Sequence, residues 1–198
     1  MLRWSFQKEL LEAGCDEAGR GCLAGPVVAA AVILNPRKRI VGLDDSKKIT
    51  EKKRNELRPI IESKAIAWAV GVVSHTEIDE INILNASFLA MHRALDQLQT
   101  KAGFISVDGN RFTAYQDIPH ECVIKGDGKY KNIAAASILA KTHRDEIMMK
   151  LHSDHPNYAW DRNKGYPTKA HRSAIREHGP TDWHRMSFQL LELEVPQL

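Results

Sequence analysis

Apolar and polar positions follow two different rhythms along the chain. Residues 27–34, Val27-Val28-Ala29-Ala30-Ala31-Val32-Ile33-Leu34, are apolar without a break and stop at Asn35-Pro36. Such a run, closed by a turn signal, predicts a strand buried on both faces. Residues 66–73 read in the same way. Shorter apolar runs at 13–15, 104–107 and 122–124 predict three more strands, each leading into a turn that carries glycine. The second rhythm is helical. Leu84, Phe88, Met91, Leu95 and Leu98 recur every three or four positions and form one stripe for burial. Thr50 is placed to cap a helix over 51–63, although Pro59 stands in its middle. Residues 132–153 predict one long helix. Beyond it, Pro156, Gly165-Tyr166-Pro167 and Gly179-Pro180 divide the chain into short helices and loops.

This order of elements is α/β. The links among the first three strands are short enough for antiparallel pairing, and helical crossovers allow the later strands to be parallel. The expectation is a mixed five-stranded sheet flanked by helices. Residues 1–155 form the sheet-bearing domain, and residues 156–198 form a C-terminal helical extension packed on it. The tail 192–198 reads as frayed. The total of 198 residues suits one core of good size.

Composition narrows the class. Hydrophobic residues make up 43% and charged residues 27%, as in a globular protein. Residues 1–11 contain no signal-peptide core, and no apolar run is half as long as a membrane span requires. Cys15, Cys22 and Cys122 are odd in number and lack CxxC spacing, which argues against a disulfide framework or a structural zinc site. Free thiols suit a cytoplasmic location. The histidines show neither HxH nor HExxH spacing. The net charge is only +3, but residues 37–54 hold eight Lys/Arg against three acids. That stretch, with Lys47, Lys48, Lys52 and Lys53, either tracks a phosphate backbone or is a solvated helix face.

The candidate chemistry lies in four acids. Asp16 and Glu17 stand in Asp16-Glu17-Ala18-Gly19-Arg20-Gly21; Asp108 precedes Gly109; Asp127 sits between Gly126 and Gly128. Each follows a short apolar run, so neighbouring strands would bring the carboxylates to one edge of the sheet. Unpaired buried charge is costly, and converging carboxylates repel one another unless a hard cation binds. Two Mg²⁺ ions roughly 4 Å apart could be bridged there for phosphodiester hydrolysis. Gly19, Arg20 and Gly21 form a turn whose backbone can approach a phosphate or a sugar hydroxyl closely. Ser137, Lys141 and Arg144 fall at i, i+4 and i+7 on the long helix, a polar stripe that either faces phosphates or is an ordinary solvated face. Tyr166, in Lys164-Gly165-Tyr166-Pro167-Thr168, either stacks on a sugar or base or covers the core.

Taken in order, Asp16-Glu17-Ala18-Gly19-Arg20-Gly21, Asp45-Ser46-Lys47-Lys48, Val107-Asp108-Gly109-Asn110, Lys125-Gly126-Asp127, Ala135-Ala136-Ser137-Ile138-Leu139-Ala140-Lys141 and Lys164-Gly165-Tyr166-Pro167-Thr168 resemble the motifs of ribonuclease HII over nearly the whole chain. The resemblance implies a ribonuclease H-like fold and an endonuclease that cuts RNA in RNA–DNA hybrids. It also implies cleavage on the 5′ side of a single ribonucleotide in duplex DNA, leaving 3′-hydroxyl and 5′-phosphate ends. Asp16, Glu17, Asp108 and Asp127 match the family's acids for Mg²⁺ or Mn²⁺. Gly19, Arg20 and Gly21 match the turn that reads the ribose 2′-hydroxyl, and Tyr166 matches the tyrosine that senses the junction. The expectation is a monomer that acts without a membrane. Cys15, Cys22 and Asn163 depart from the residues common in the family at those positions, and none is a metal ligand. A DNA nuclease of the same fold would share the acids but would not need a ribonucleotide. A non-catalytic nucleic-acid-binding module would not need all four acids.

Overall fold

The computed structural model describes residues 2–191. The tail expected to be frayed, 192–198, lies outside the described residues. The chain runs β1 (Glu12–Ala18), β2 (Val27–Ile33), α1 (Glu51–Lys64), β3 (Ala67–Val73), α2 (His75–Asp96), β4 (Phe104–Asp108), β5 (His120–Val123), α3 (Lys131–Asp154), α4 (Trp160–Asn163) and α5 (Lys169–His178). The five strands form one sheet in the order β3-β2-β1-β4-β5. The first three pair antiparallel, and β4 and β5 add in parallel.

β2 is apolar throughout because both its faces are covered. Val27, Ala29, Ala31 and Ile33 pack toward α2, against residues such as Ile78, Met91 and Leu95. Ala30 and Val32 pack toward α1 and α3, against Leu57, Ile61, Ala136 and Leu139. Strand geometry sends successive side chains to opposite faces, so two helical layers demand a continuous apolar run. α3 lies close on β1. A Cβ at Gly14 would sit 2.3 Å from the carbonyl carbon of Asn132, so only glycine permits this approach. The alanines of α3 serve the same close packing.

Four expectations are adjusted. β1 does not end at Cys15; it continues through Asp16 and Glu17 to Ala18, because Ala18 still pairs with Val28. The acids are therefore strand residues, and the turn begins after them. α2 starts well before Leu84, with Ser74 and Glu77 forming a reciprocal cap, and it kinks at Asn82 (φ 66°). In its stripe, Met91 and Leu95 are buried, whereas Leu84 and Phe88 are half-buried. Pro59 is accommodated inside α1 on its exposed side, where water can serve the carbonyl it leaves unpaired.

The C-terminal segment packs its own small core. Tyr158, Trp160, Ala174 and Ile175 meet Leu23 and Ala24 from the β1–β2 connection and Met148 and Leu151 from α3. Among the described residues, no helix is long and apolar enough to cross a membrane.

Candidate active site

Three of the four sequence-predicted acids meet. Carboxylate oxygens of Asp16, Asp108 and Asp127 lie within 4.8 Å of one another. They come from three neighbouring strands: Asp16 from β1, Asp108 from the end of the adjacent β4, and Asp127 from the tight turn after the edge strand β5. Each is oriented by a backbone amide. Asp16 accepts from Glu17 N at 2.7 Å, Asp108 from Gly126 N at 2.6 Å, and Asp127 from Gly128 N at 2.8 Å. Glu17 stands outside this trio. It lines the cleft beside them, and Arg20 reaches it at 3.2 Å.

Burial raises the Asp16 pKa well above the carboxylate range, and the charges of Glu17 and Asp108 push it further. Burial and the charges of Asp108 and Asp45 bring Asp127 to about 6. Burial also raises Glu17, against the opposing pull of Arg20. Converging carboxylates that repel each other are the donor set a hard divalent cation satisfies, so Asp16, Asp108 and Asp127 fit such an ion. Lys47 belongs to this field. Burial alone would lower its pKa, but Asp127, Asp16, Asp45 and Asp108 together raise it.

Beside the acids lies a 220 Å³ cleft lined by Asp16, Glu17, the Gly19-Arg20-Gly21 turn, Ser46, Lys47, Lys141 and Tyr166. Tyr166 is 40% exposed. Its ring packs under Lys141 Nζ at 5.6 Å and Arg144 Cζ at 5.9 Å. The Tyr166 loop is pinned by Asn163, whose side chain accepts from Gly165 N at 2.8 Å and donates to Tyr158 O at 2.7 Å. The amide of Leu23 donates to Gly165 O at 2.8 Å and ties the loop to the glycine turn. Cys22 lies at this junction, its thiol 3.7 Å from Lys164 O. Cys15 is an apolar core residue of β1.

The polar stripe of α3 does not form one open face. Ser137 is buried and bonds Ser46 Oγ at 2.8 Å, bracing the Asp45-Ser46-Lys47 loop over the acids. Lys141 pairs with Asp145 at 2.7 Å at the edge of the cleft. Arg144 corrects the expectation of a phosphate contact. It is fully buried, and its guanidinium donates to the carbonyls of Pro26, Lys164 and Ala24 at 3.0, 2.8 and 3.1 Å. The i+7 position on α3 points inward here because the C-terminal segment covers it. Lys48 lies outside the cleft lining, exposed, 3.8 Å from Asp45.

Sequence reasoning overlooked Arg54 and Arg185. Arg54 lines the cleft and donates to Ser46 O and Ile49 O, both at 2.7 Å. Arg185 is fully buried behind the glycine turn. Arg54 stands in a polar stretch that sequence alone reads as surface, and Arg185, between His184 and Met186, carries no periodic signal of burial.

Ribonuclease H2 from Pyrococcus horikoshii superposes with a TM-score of 0.75 at 26% identity, over 90% of this chain and 94% of its own. Ribonuclease HII from Archaeoglobus fulgidus, solved in complex with PCNA, gives 0.73 at 26% identity, over 94% and 98%. Fold and site together define a nuclease of the ribonuclease H-like class, a hydrolase with an aspartate cluster suited to metal. The family described as Ribonuclease HII matches residues 13–191. Ribonuclease HII of Phocaeicola vulgatus is 62% identical over 200 residues, covering 99% of this chain and 100% of the relative. That of Bacteroides thetaiotaomicron is 64% identical over 191 residues, covering 96% of each. The chain belongs to the ribonuclease HII family.

Proposed function

We propose that this protein hydrolyses the RNA strand of RNA–DNA hybrids and cuts on the 5′ side of single ribonucleotides embedded in duplex DNA, leaving 3′-hydroxyl and 5′-phosphate ends. The observation that carries this reading is the convergence of Asp16, Asp108 and Asp127 within 4.8 Å, beside a cleft lined by Gly19, Gly21 and Tyr166. Asp16, Asp108 and Asp127, with Glu17 at their side, would hold two Mg²⁺ or Mn²⁺ ions. Bound there, the ions supply water activation and stabilisation of the leaving oxygen.

The remaining tasks fall to the chain itself. Telling RNA from DNA requires contact with the 2′-hydroxyl, and backbone amides of the Gly19-Arg20-Gly21 turn suit that group. The half-exposed Tyr166 ring packs against the neighbouring deoxyribose, where an added hydroxyl would not fit. Lys47, drawn toward the acids, meets a phosphate of the cut strand. The exposed Lys48 and Lys52 hold backbone further away without reading sequence. The protein acts as a cytoplasmic monomer.

Three duplexes test the reading: DNA with one embedded ribonucleotide, an all-RNA strand on DNA, and DNA alone, each with Mg²⁺, Mn²⁺ or EDTA. The first two should be cut with either metal, and neither with EDTA. Cleavage of the all-DNA duplex at a comparable rate would replace the proposal with a general DNA nuclease.

A further inference from the structure

The C-terminal segment reaches back to the glycine turn through one side chain. Arg185 donates from Nη2 to Gly19 O at 2.8 Å, from Nη1 to Arg20 O at 2.9 Å, and from Nε to Gly25 O at 3.0 Å. All three acceptors are main-chain carbonyls. A buried guanidinium held only by carbonyls is costly, and here burial lowers its pKa to about 10. A planar fork of fixed donors sets the relative position of several acceptors, which a lysine, with its single flexible ammonium, cannot do.

The fork is itself held still. The amide of Arg185 donates to Leu23 O at 2.8 Å. Asp79 of α2 accepts from the amides of Met186 at 2.8 Å and Ser187 at 3.0 Å. The Phe188 ring lies 5.1 Å from the guanidinium carbon.

Peptide planarity gives this clamp a direction. In a trans peptide, the N–H points opposite to the C=O of the same unit. Arg185 draws the carbonyls of Gly19 and Arg20 inward. The N–H groups sharing those planes belong to Arg20 and Gly21, and they are thereby turned away from the interior, on the side of the cleft.

We propose that Arg185 is a positioning residue for ribose selection: by holding two carbonyls of the turn from behind, it aims the amides of Arg20 and Gly21 at the sugar. This rests on the reading that the turn receives the ribose 2′-hydroxyl. The C-terminal segment is then part of the recognition machinery without touching substrate.

The test uses Arg185→Lys and Arg185→Met in the full chain, with Leu95→Ala as a control that weakens the core on the α2 side of the sheet. Single-turnover cleavage of DNA containing one ribonucleotide gives the rate constant. With enzyme at saturating excess, partial loss of folded protein leaves the rate constant unchanged and is read by circular dichroism; a misaimed turn lowers the rate constant. Hydrogen exchange of the Arg20 and Gly21 amides is followed in parallel. The expected result for Arg185→Lys is a rate constant reduced at least tenfold with the circular dichroism spectrum kept, and faster exchange at both amides. Leu95→Ala should keep the parental rate constant. If Arg185→Met does not fold, Arg185→Lys decides alone. A parental rate constant in Arg185→Lys overturns the inference, whatever the exchange shows. A parent protein that cuts no ribonucleotide-containing duplex refutes the proposed function instead.

Discussion

Gly19 and Gly21 stand two residues apart in one turn, yet substituting them should have opposite consequences. Gly19 has φ 95°, and a Cβ there would lie 2.0 Å from Arg144 Nε and 2.5 Å from its Cδ. The backbone conformation alone costs a side-chain-bearing residue about 1–2 kcal/mol. The larger effect is on Arg144, whose Nε, the atom met first, would have to leave its bond to Pro26 O. A hydrogen bond to a charged group contributes about 1.5–3 kcal/mol, so losing one brings the total for Gly19→Ala to about 3–5 kcal/mol. In a chain of this size that is a fall in Tm of about 6–20 °C. At Gly21 a Cβ would meet nothing within 4 Å. Gly21→Ala should therefore change stability by no more than about 1 kcal/mol. On the proposed reading, in which that open space receives the sugar, it should still lower cleavage at an embedded ribonucleotide. Thermal unfolding by circular dichroism, urea midpoints and single-turnover rates on the same preparations read both variants. A Gly19→Ala protein within 1 kcal/mol of the parent would show that Arg144 gives way freely, and the account of this turn would be wrong.

Asp108→Asn should keep the circular dichroism spectrum and lose most activity with either metal; near-normal turnover would remove Asp108 from the reaction. Asp127 has its folded pKa raised to about 6, so between its ordinary value of 3.8 and 6 the native state binds the extra proton. In EDTA the stability contribution of this group is therefore largest at low pH and declines as pH rises through 6. Asp127→Asn should flatten that slope and raise the metal-free Tm at pH 7, by on the order of 1 kcal/mol in stability; a lower Tm would contradict the repulsion described here. Neutralising Lys48 and Lys52 together should weaken duplex binding about equally for all sequences and flatten its salt dependence, whereas an unchanged slope would leave both as solvated surface. Tyr166→Ala should cut the single-ribonucleotide rate strongly while duplex affinity falls less, and Tyr166→Phe should retain much more activity; parental cleavage by Tyr166→Ala would leave the ring as a lid on the core.

The parts of the fold legible in the sequence are those where one local pattern has one solution. The unbroken apolar run of β2 demanded cover on both faces, and α2 with α3 supplies it. Asp16, Asp108 and Asp127 were visible because a carboxylate after an apolar run, beside glycine, has few structural reasons to exist. The end of β1 was less legible, since pairing between Ala18 and Val28 extends the strand through residues that read as a turn. Arg144 and Arg185 were not legible at all. Neither sits at a periodic apolar position, and what buries them is the folding of the C-terminal segment over α3 and the glycine turn. The hidden acceptors of both arginines are main-chain carbonyls, which carry no sequence signature.

The wiring of the sheet also sets a timetable. β1 lies between β2, which follows it closely, and β4, which must be synthesised and brought around α1, β3 and α2 before it can pair. Asp16 thus waits for Asp108 and Asp127, and the turn beside it waits for Arg185. Contacts so distant along the chain form late in folding. A nascent chain on the ribosome, surrounded by RNA, would therefore carry no assembled acid cluster until Asp127 had emerged, and no clamped turn until Arg185 had followed.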